Sequence, residues 1–156
     1  MKMAIRQIRI QSDPVLRKKA REVREITPTI TKLLDDMAET MYDAQGVGLA
    51  APQIGISKRL VVIDVQDEKG LLKLINPKIT VRSGRETAIE GCLSFPGIAG
   101  EVERAAEVTV EALDETGNKI SFVAEGLLAR ACQHEIDHLD GVLFVDRVTR
   151  FIEQEE

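Results

Sequence analysis

The chain contains two histidines, His134 and His138, and both fall in the stretch QHEIDHLDG. At helical spacing they lie roughly 40° apart around the axis, so both imidazoles can reach one metal ion. Glu135 and Asp137 flank them, about 60° from His138 and His134 respectively, and projection alone does not choose between the two as general base. The H-E-x-x-H pattern does choose: its glutamate meets the water that a metal activates, which favours Glu135 in a hydrolytic site. The competing reading is a solvated helix face that happens to carry two histidines. Against it stand the lack of any other histidine in the chain and the small, apolar residues around the pair.

A catalytic site of the zinc type takes three protein ligands and leaves a position for water, so two histidines are one short. Of the two cysteines, Cys132 lies about 200° around the helix from His134 and cannot join it while the helix persists. It reads as a small buried hydrophobe. Cys92, in EGCLSFPG, follows a glycine and precedes a turn-prone Ser-Phe-Pro-Gly, a setting that can aim a thiolate across the fold. Its bland alternative is a free core cysteine. A thiolate ligand would lower the net charge of the metal and acidify water less than a third histidine, leaving more work for Glu135. Thiolate and imidazole by themselves would suit zinc.

With 156 residues the chain can close a core without disulfide or metal staples, which makes any metal catalytic rather than structural. Its 21 basic and 26 acidic side chains give a formal charge of -5, which argues against a nucleic-acid footprint, and no basic run exceeds Arg17-Lys18-Lys19. The start, MKMAIRQIRI, lacks a signal-peptide core, and no window approaches the roughly 20 apolar residues of a membrane span. A cytoplasmic protein with reduced thiols and no membrane partner is expected.

The elements that must position the cluster follow from periodicity. Asp13-Pro14 signals a turn with a short helical turn behind it. Thr27 can cap and Pro28 can open a helix in which Ile30, Leu33, Leu34, Met37 and Met41 recur at helical spacing. It is expected to run to residue 42 or 43, with Lys32, Asp35, Asp36 and Glu39 facing water. QGVGLAAPQIG reads as a loop or an irregular, closely approached strand. Strands are expected over 59–65 and 71–75, around a turn at 67–70. Gly84, Gly91, Gly97 and Gly100 read as turn points. Val108, Val110 and Ala112 alternate with polar residues, and a turn over 114–118 leads into 119–123, giving a hairpin. The ligand helix spans about 125–139 and is closed by Gly141. Two helices and short strands in one domain over 1–156 give an α+β fold, with small mixed or antiparallel sheets around a central metal-binding helix.

Three separated segments, GVGLAAPQ at 46–53, EGCLS at 90–94 and QHEIDHLDG at 133–141, carry one message in their order and spacing: the chain resembles the bacterial, iron-dependent peptide deformylases. The resemblance implies Cys92, His134 and His138 as metal ligands and Glu135 as acid/base. It implies Gln53 and the backbone N–H of Leu93 as donors to an oxyanion. It also implies one divalent ion, ferrous iron rather than zinc, with nickel or cobalt as working replacements and zinc as a poor one. The implied reaction removes the N-formyl group from the initiator methionine of a nascent polypeptide, releasing formate. An extended peptide would run beside Gly46 and Gly48, where a bare backbone can pass near the substrate or the ligand helix. By analogy Val47, Ile89, Leu127 and Ala131 would wall the methionine side chain. Glu90 matches the family's glutamate ahead of Gly-Cys; Arg104 would be its partner and would pin the Cys92 loop, and Gln133 would support the metal cysteine similarly.

Two departures matter. FPGIAGEVE, after EGCLS, has no basic residue before Arg104, so contacts to the peptide are expected to be weaker or differently made. The chain stops at FIEQEE where some relatives continue into a terminal helix, which leaves open how a transient ribosome contact is made. Two rivals remain: an HExxH metallopeptidase, which would use His or Glu as third ligand and need room on both sides of the scissile bond, and a non-catalytic metal-binding domain with a closed coordination sphere.

Overall fold

The computed structural model describes residues 4–153; residues 1–3, which begin MKMAIRQIRI, and 154–156, which end FIEQEE, lie outside the described residues. Helix α1 (Pro28–Asp43) opens at Pro28 and is capped by Thr27, whose side chain accepts from the Ile30 N–H. Ile30, Leu33, Leu34, Met37 and Met41 form its buried stripe. Asp36 does not face water as its spacing suggested. It is fully buried and accepts from Lys32 one turn earlier on the helix and from Arg6 and the Ala4 N–H, because the amino-terminal segment crosses that face and brings the further donors a buried carboxylate requires.

Eight strands follow: β1 (Gly48–Ala50), β2 (Leu60–Ile63), β3 (Leu72–Ser83), β4 (Glu86–Cys92), β5 (Phe95–Arg104), β6 (Glu107–Leu113), β7 (Lys119–Glu125) and β8 (Val148–Ile152), with α2 (Gly126–Leu139) between the last two. They form a five-stranded sheet in the order β1-β2-β3-β6-β7 and a three-stranded one in the order β4-β5-β8. All pairings of these strands are antiparallel, and an isolated parallel bridge joins Arg21 to Lys58. The expected β6–β7 hairpin is present, with Val110 opposite Phe122.

Strand β2 shows why the core has two sides. Its sequence, LVVI, is apolar throughout and buried throughout: Val61 and Ile63 pack with α2, Leu60 and Val62 with α1. Helix α2 is likewise buried on two faces. Ala129, Cys132, Ile136 and Leu139 join the apolar layer of the five-stranded sheet, while Arg130, His134 and His138 turn to β4 and its hairpin partner β5. Beyond Gly141 (φ +74), Leu143 and Phe144 meet Phe95, Val102 and Leu16 in a third apolar cluster that touches Cys92.

The region between Pro77 and Gly100 departs most from the glycine-based expectation. β3 continues past Pro77, where a register shift between Ile75 and Lys78 spares the proline a ladder donor. Of the four glycines only Gly84 (φ +68) sits in a turn between strands; Gly91, Gly97 and Gly100 lie within β4 and β5. Gly100 is there because β8 crosses so closely that an added Cβ would stand 2.5 Å from Val148 Cγ1. Among the described residues no helix is long and apolar enough to cross a membrane.

Candidate active site

The tight turn Leu93-Ser94 joins β4 to β5, with Cys92 opposite Phe95. The turn thus falls one step earlier than Ser-Phe-Pro-Gly suggested, because Phe95 is drawn into the cluster under Phe144, ring centroids 5.6 Å apart. It delivers the Cys92 sulfur to α2, 3.4 Å from His138 Nε2. One ligand atom each from Cys92, His134 and His138 lie within 4.8 Å of one another, the spacing that a single cation would fill.

The donor chemistry fits such an ion. His134 Nδ1 meets Glu90 Oε1 at 3.0 Å, which leaves Nε2 with a lone pair for metal. The ring stacks on Phe144 with centroids 6.0 Å apart. His138 is fully buried, and its Nδ1 has no partner among the described residues. Burial, then the neighbouring His134, hold His138 well below the usual histidine range, so it is neutral and able to ligate. Burial works the same way on His134, but the Glu135 carboxylate, Cys92 and Glu90 outweigh it and raise His134 to about 10. The negative surroundings that draw a proton there would equally draw a divalent cation.

Glu90 is the hub of the support. Arg104 grips both its oxygens, Nε to Oε2 at 2.6 Å and Nη2 to Oε1 at 2.8 Å, and Arg130 Nη1 donates to Oε2 at 2.5 Å. Burial works against its charge, but Arg104 and then His134 hold its carboxyl down at about 2. Asp137, on the flank of the ligand stripe opposite Glu135, accepts from Arg104 and Arg147. Only Glu135, of the two candidate bases, lines the cleft beside the ligands. Its Oε1 is buried without a partner among the described residues, and burial, partly offset by His134, pushes its carboxyl up to about 7. A group poised there can take a proton and return it at neutral pH.

The GVGLAAPQ segment supplies the opposite wall. An added Cβ on Gly48 would stand 2.6 Å from Glu135 Oε2, and one on Gly46 would stand 2.7 Å from Leu93 Cδ1, so both glycines make room for site residues. Gln53 is buried; its Oε1 takes the Ala50 N–H at 2.9 Å, which fixes the amide so that Nε2 faces Ser94 Oγ at 3.1 Å and Cys92 Sγ at 3.6 Å. Between the walls is a cleft of about 370 Å³. Val47, Ile89, Leu127 and Ala131 line it, and the first three leave 42–60% of their surface exposed, apolar area that a substrate side chain would cover.

One expected support is elsewhere. Gln133 does not reach Cys92: its amide pairs with the backbone N–H and carbonyl of Ala105, since it is one residue off the ligand stripe and faces the end of β5. Sequence reasoning also missed Ser94, although EGCLS contains it, and Arg130, although its position four residues before His134 puts it on the ligand face.

An α+β frame that presents two histidines and a cysteine beside a buried glutamate and an apolar cleft is the arrangement of a mononuclear metal-dependent hydrolase. The polypeptide deformylase family model matches residues 5–154. A peptide deformylase of Caldanaerobacter subterraneus subsp. tengcongensis is 60% identical over 154 residues, covering 99% of this chain and 96% of the relative. That of Acetivibrio thermocellus is 58% identical over 154 residues, covering 99% and 89%. The crystal structure of peptide deformylase from Thermotoga maritima is similar with a TM-score of 0.90 and 45% identity, over 93% of this chain and 98% of that one. The chain belongs to the polypeptide deformylase family.

Proposed function

We propose that this chain acts as one catalytic domain that hydrolyses the N-formyl group from the N-terminal formylmethionine of nascent polypeptides, releasing formate. Cys92, His134 and His138 would hold one divalent cation, ferrous iron by expectation with nickel, cobalt or zinc as replacements. When bound, the ion supplies Lewis-acid polarisation of the formyl oxygen and lowers the pKa of water beside it.

The residues of the chain do the rest. Glu135 takes a proton from the attacking water as its oxygen bonds to the formyl carbon, and returns it to the nitrogen as the C–N bond breaks, leaving formate and a free amine. The Gln53 amide and the Leu93 N–H donate to the developing oxyanion. An amide does so without adding a second full positive charge beside the cation. Val47, Ile89, Leu127 and Ala131 would pack the methionine side chain, and Gly46 and Gly48 let an extended peptide approach.

The observation that carries this reading is the cysteine-histidine-histidine set within 4.8 Å beside a glutamate at the cleft. Formate release from an N-formylmethionyl peptide, with iron kept reduced and oxygen excluded, tests it. Metal-loaded protein that releases no formate would overturn it. The cytoplasm is the compartment in which such a substrate arises. A transient ribosome contact, without nucleic-acid sequence preference or a membrane partner, belongs to the same proposal. It is supported by a groove of about 810 Å³ beside the Arg21–Lys58 bridge, where Lys18, Lys19, Arg21, Arg24 and Lys58 outnumber Glu22 and Glu25.

A further inference from the structure

Arg130 is buried one helical turn before His134, on the stripe of α2 that carries both histidines, and the chemistry above gives it no part. Its Nη1 donates to Glu90 Oε2 at 2.5 Å and to the Val102 carbonyl at 3.0 Å, and its Nη2 to the Glu86 carbonyl at 2.7 Å. One planar guanidinium therefore fastens the helix to β4, the strand that ends at Cys92, and to its partner β5. Further ties follow along the helix: Gln133 meets the backbone of Ala105, and Arg104 meets Asp137 beyond His134. Arg130 supplies the tie to β4 a full turn ahead of His134, where it limits movement of the helix against the strand that ends at Cys92.

We propose that Arg130 is a positioning residue of the metal centre. It fixes the helix that bears His134 and His138 against the strand that bears Cys92, and it completes the clamp on Glu90 that orients the His134 ring. Arg104 and Arg130 come from different elements and converge on Glu90 Oε2, while Oε1 is left to Arg104 and His134. The site needs arginine specifically. A lysine could keep one contact to Glu90, but a point charge on a flexible stem cannot serve a carboxylate and two carbonyls of two strands at once.

The inference rests on the metal-hydrolase reading, so its test reads the centre without substrate. Arg130→Met and Arg130→Lys would be compared with the wild type by cobalt(II) titration, following the visible absorption of the bound ion, with thermal unfolding as the check on folding. Both variants are expected to bind cobalt about 10–100-fold more weakly, with an altered absorption envelope, and in turnover to lose kcat with KM changed by less than about threefold. Should Arg130→Met not fold, Arg130→Lys carries the test alone. A folded variant with cobalt affinity and spectrum within twofold of wild type would overturn the proposal, as would full recovery by lysine. If the wild type binds cobalt but releases no formate, the functional reading fails while the Arg130 comparison still stands.

Discussion

Gly48→Ala separates catalysis from stability within one methyl group. The three atoms nearest the new Cβ, at 2.6, 2.9 and 3.0 Å, all belong to the Glu135 side chain. Ordinary packing keeps such atoms about 3.5 Å apart, so the carboxylate must withdraw by nearly 1 Å. The backbone has no reason to resist: Gly48 sits in a regular antiparallel pairing with Ile63, and alanine there would restrict the unfolded chain to the benefit of the fold by about 0.4–1 kcal/mol. That gain offsets part of the cost of moving a buried side chain, and the midpoint of thermal unfolding should stay within a few degrees. A displacement near 1 Å in a catalytic group costs on the order of 100-fold in rate, about 2.7 kcal/mol of barrier. The assay is initial-rate formate release from an N-formylmethionyl tripeptide under anaerobic conditions, with metal content measured on the same samples. A fully metallated Gly48→Ala protein with kcat/KM within twofold of wild type would refute the placement of Glu135 as acid/base.

Cys92→Ala should fold yet lose tight metal binding, measured as metal per chain after dialysis; unchanged content would remove the cysteine from the ligand set. Gln53→Ala should lower kcat about 100-fold with metal retained, as expected for loss of one oxyanion donor, and a rate within threefold of wild type would deny it that role. Asp36→Asn tests the buried ion cluster. Burial opposes the charge of Asp36, but hydrogen bonds from Arg6, Lys32 and the Ala4 N–H hold its carboxyl below the usual range. A lowered folded pKa contributes stability above the unfolded value near 3.8 and loses it as pH falls through the folded one. The variant should therefore be about 1 kcal/mol less stable at pH 7, a modest figure because Arg6 and Lys32 are a third exposed, and should converge with wild type in denaturant titrations as pH falls through the lowered folded value. A pH-independent difference would contradict the assignment. Reversing Lys18 and Arg21 to glutamate should weaken co-sedimentation with ribosomes in a salt-dependent way and leave tripeptide turnover unchanged; equal retention of both proteins would dismiss the groove.

Chemistry was local and so was visible in the chain. His134, Glu135 and His138 lie within two helical turns, where spacing alone fixes which side chains share a face, and Thr27-Pro28 and Gly141 mark helix ends by backbone rules that act over a few residues. Cys92 could be nominated because a third ligand was required and the other thiol was on the wrong face. Tertiary structure decided what depends on partners distant in sequence. Asp36 looked solvated because its cations come from Arg6 and, four residues away, Lys32, packed by a segment that periodicity cannot place. β4 and β5 looked like glycine turns, but Gly100 answers to Val148 and Gly91 to a ladder partner, Ala99; Gly97 alone is a local bend, φ +78, and it sits inside the strand rather than between strands. Gln133 and Arg130 sit three residues apart on one helix, yet which of them reaches the metal's support was settled by where β5 and Glu90 lie in space. Helical geometry assigns a direction to each side chain; only the packed sheets decide what it meets there.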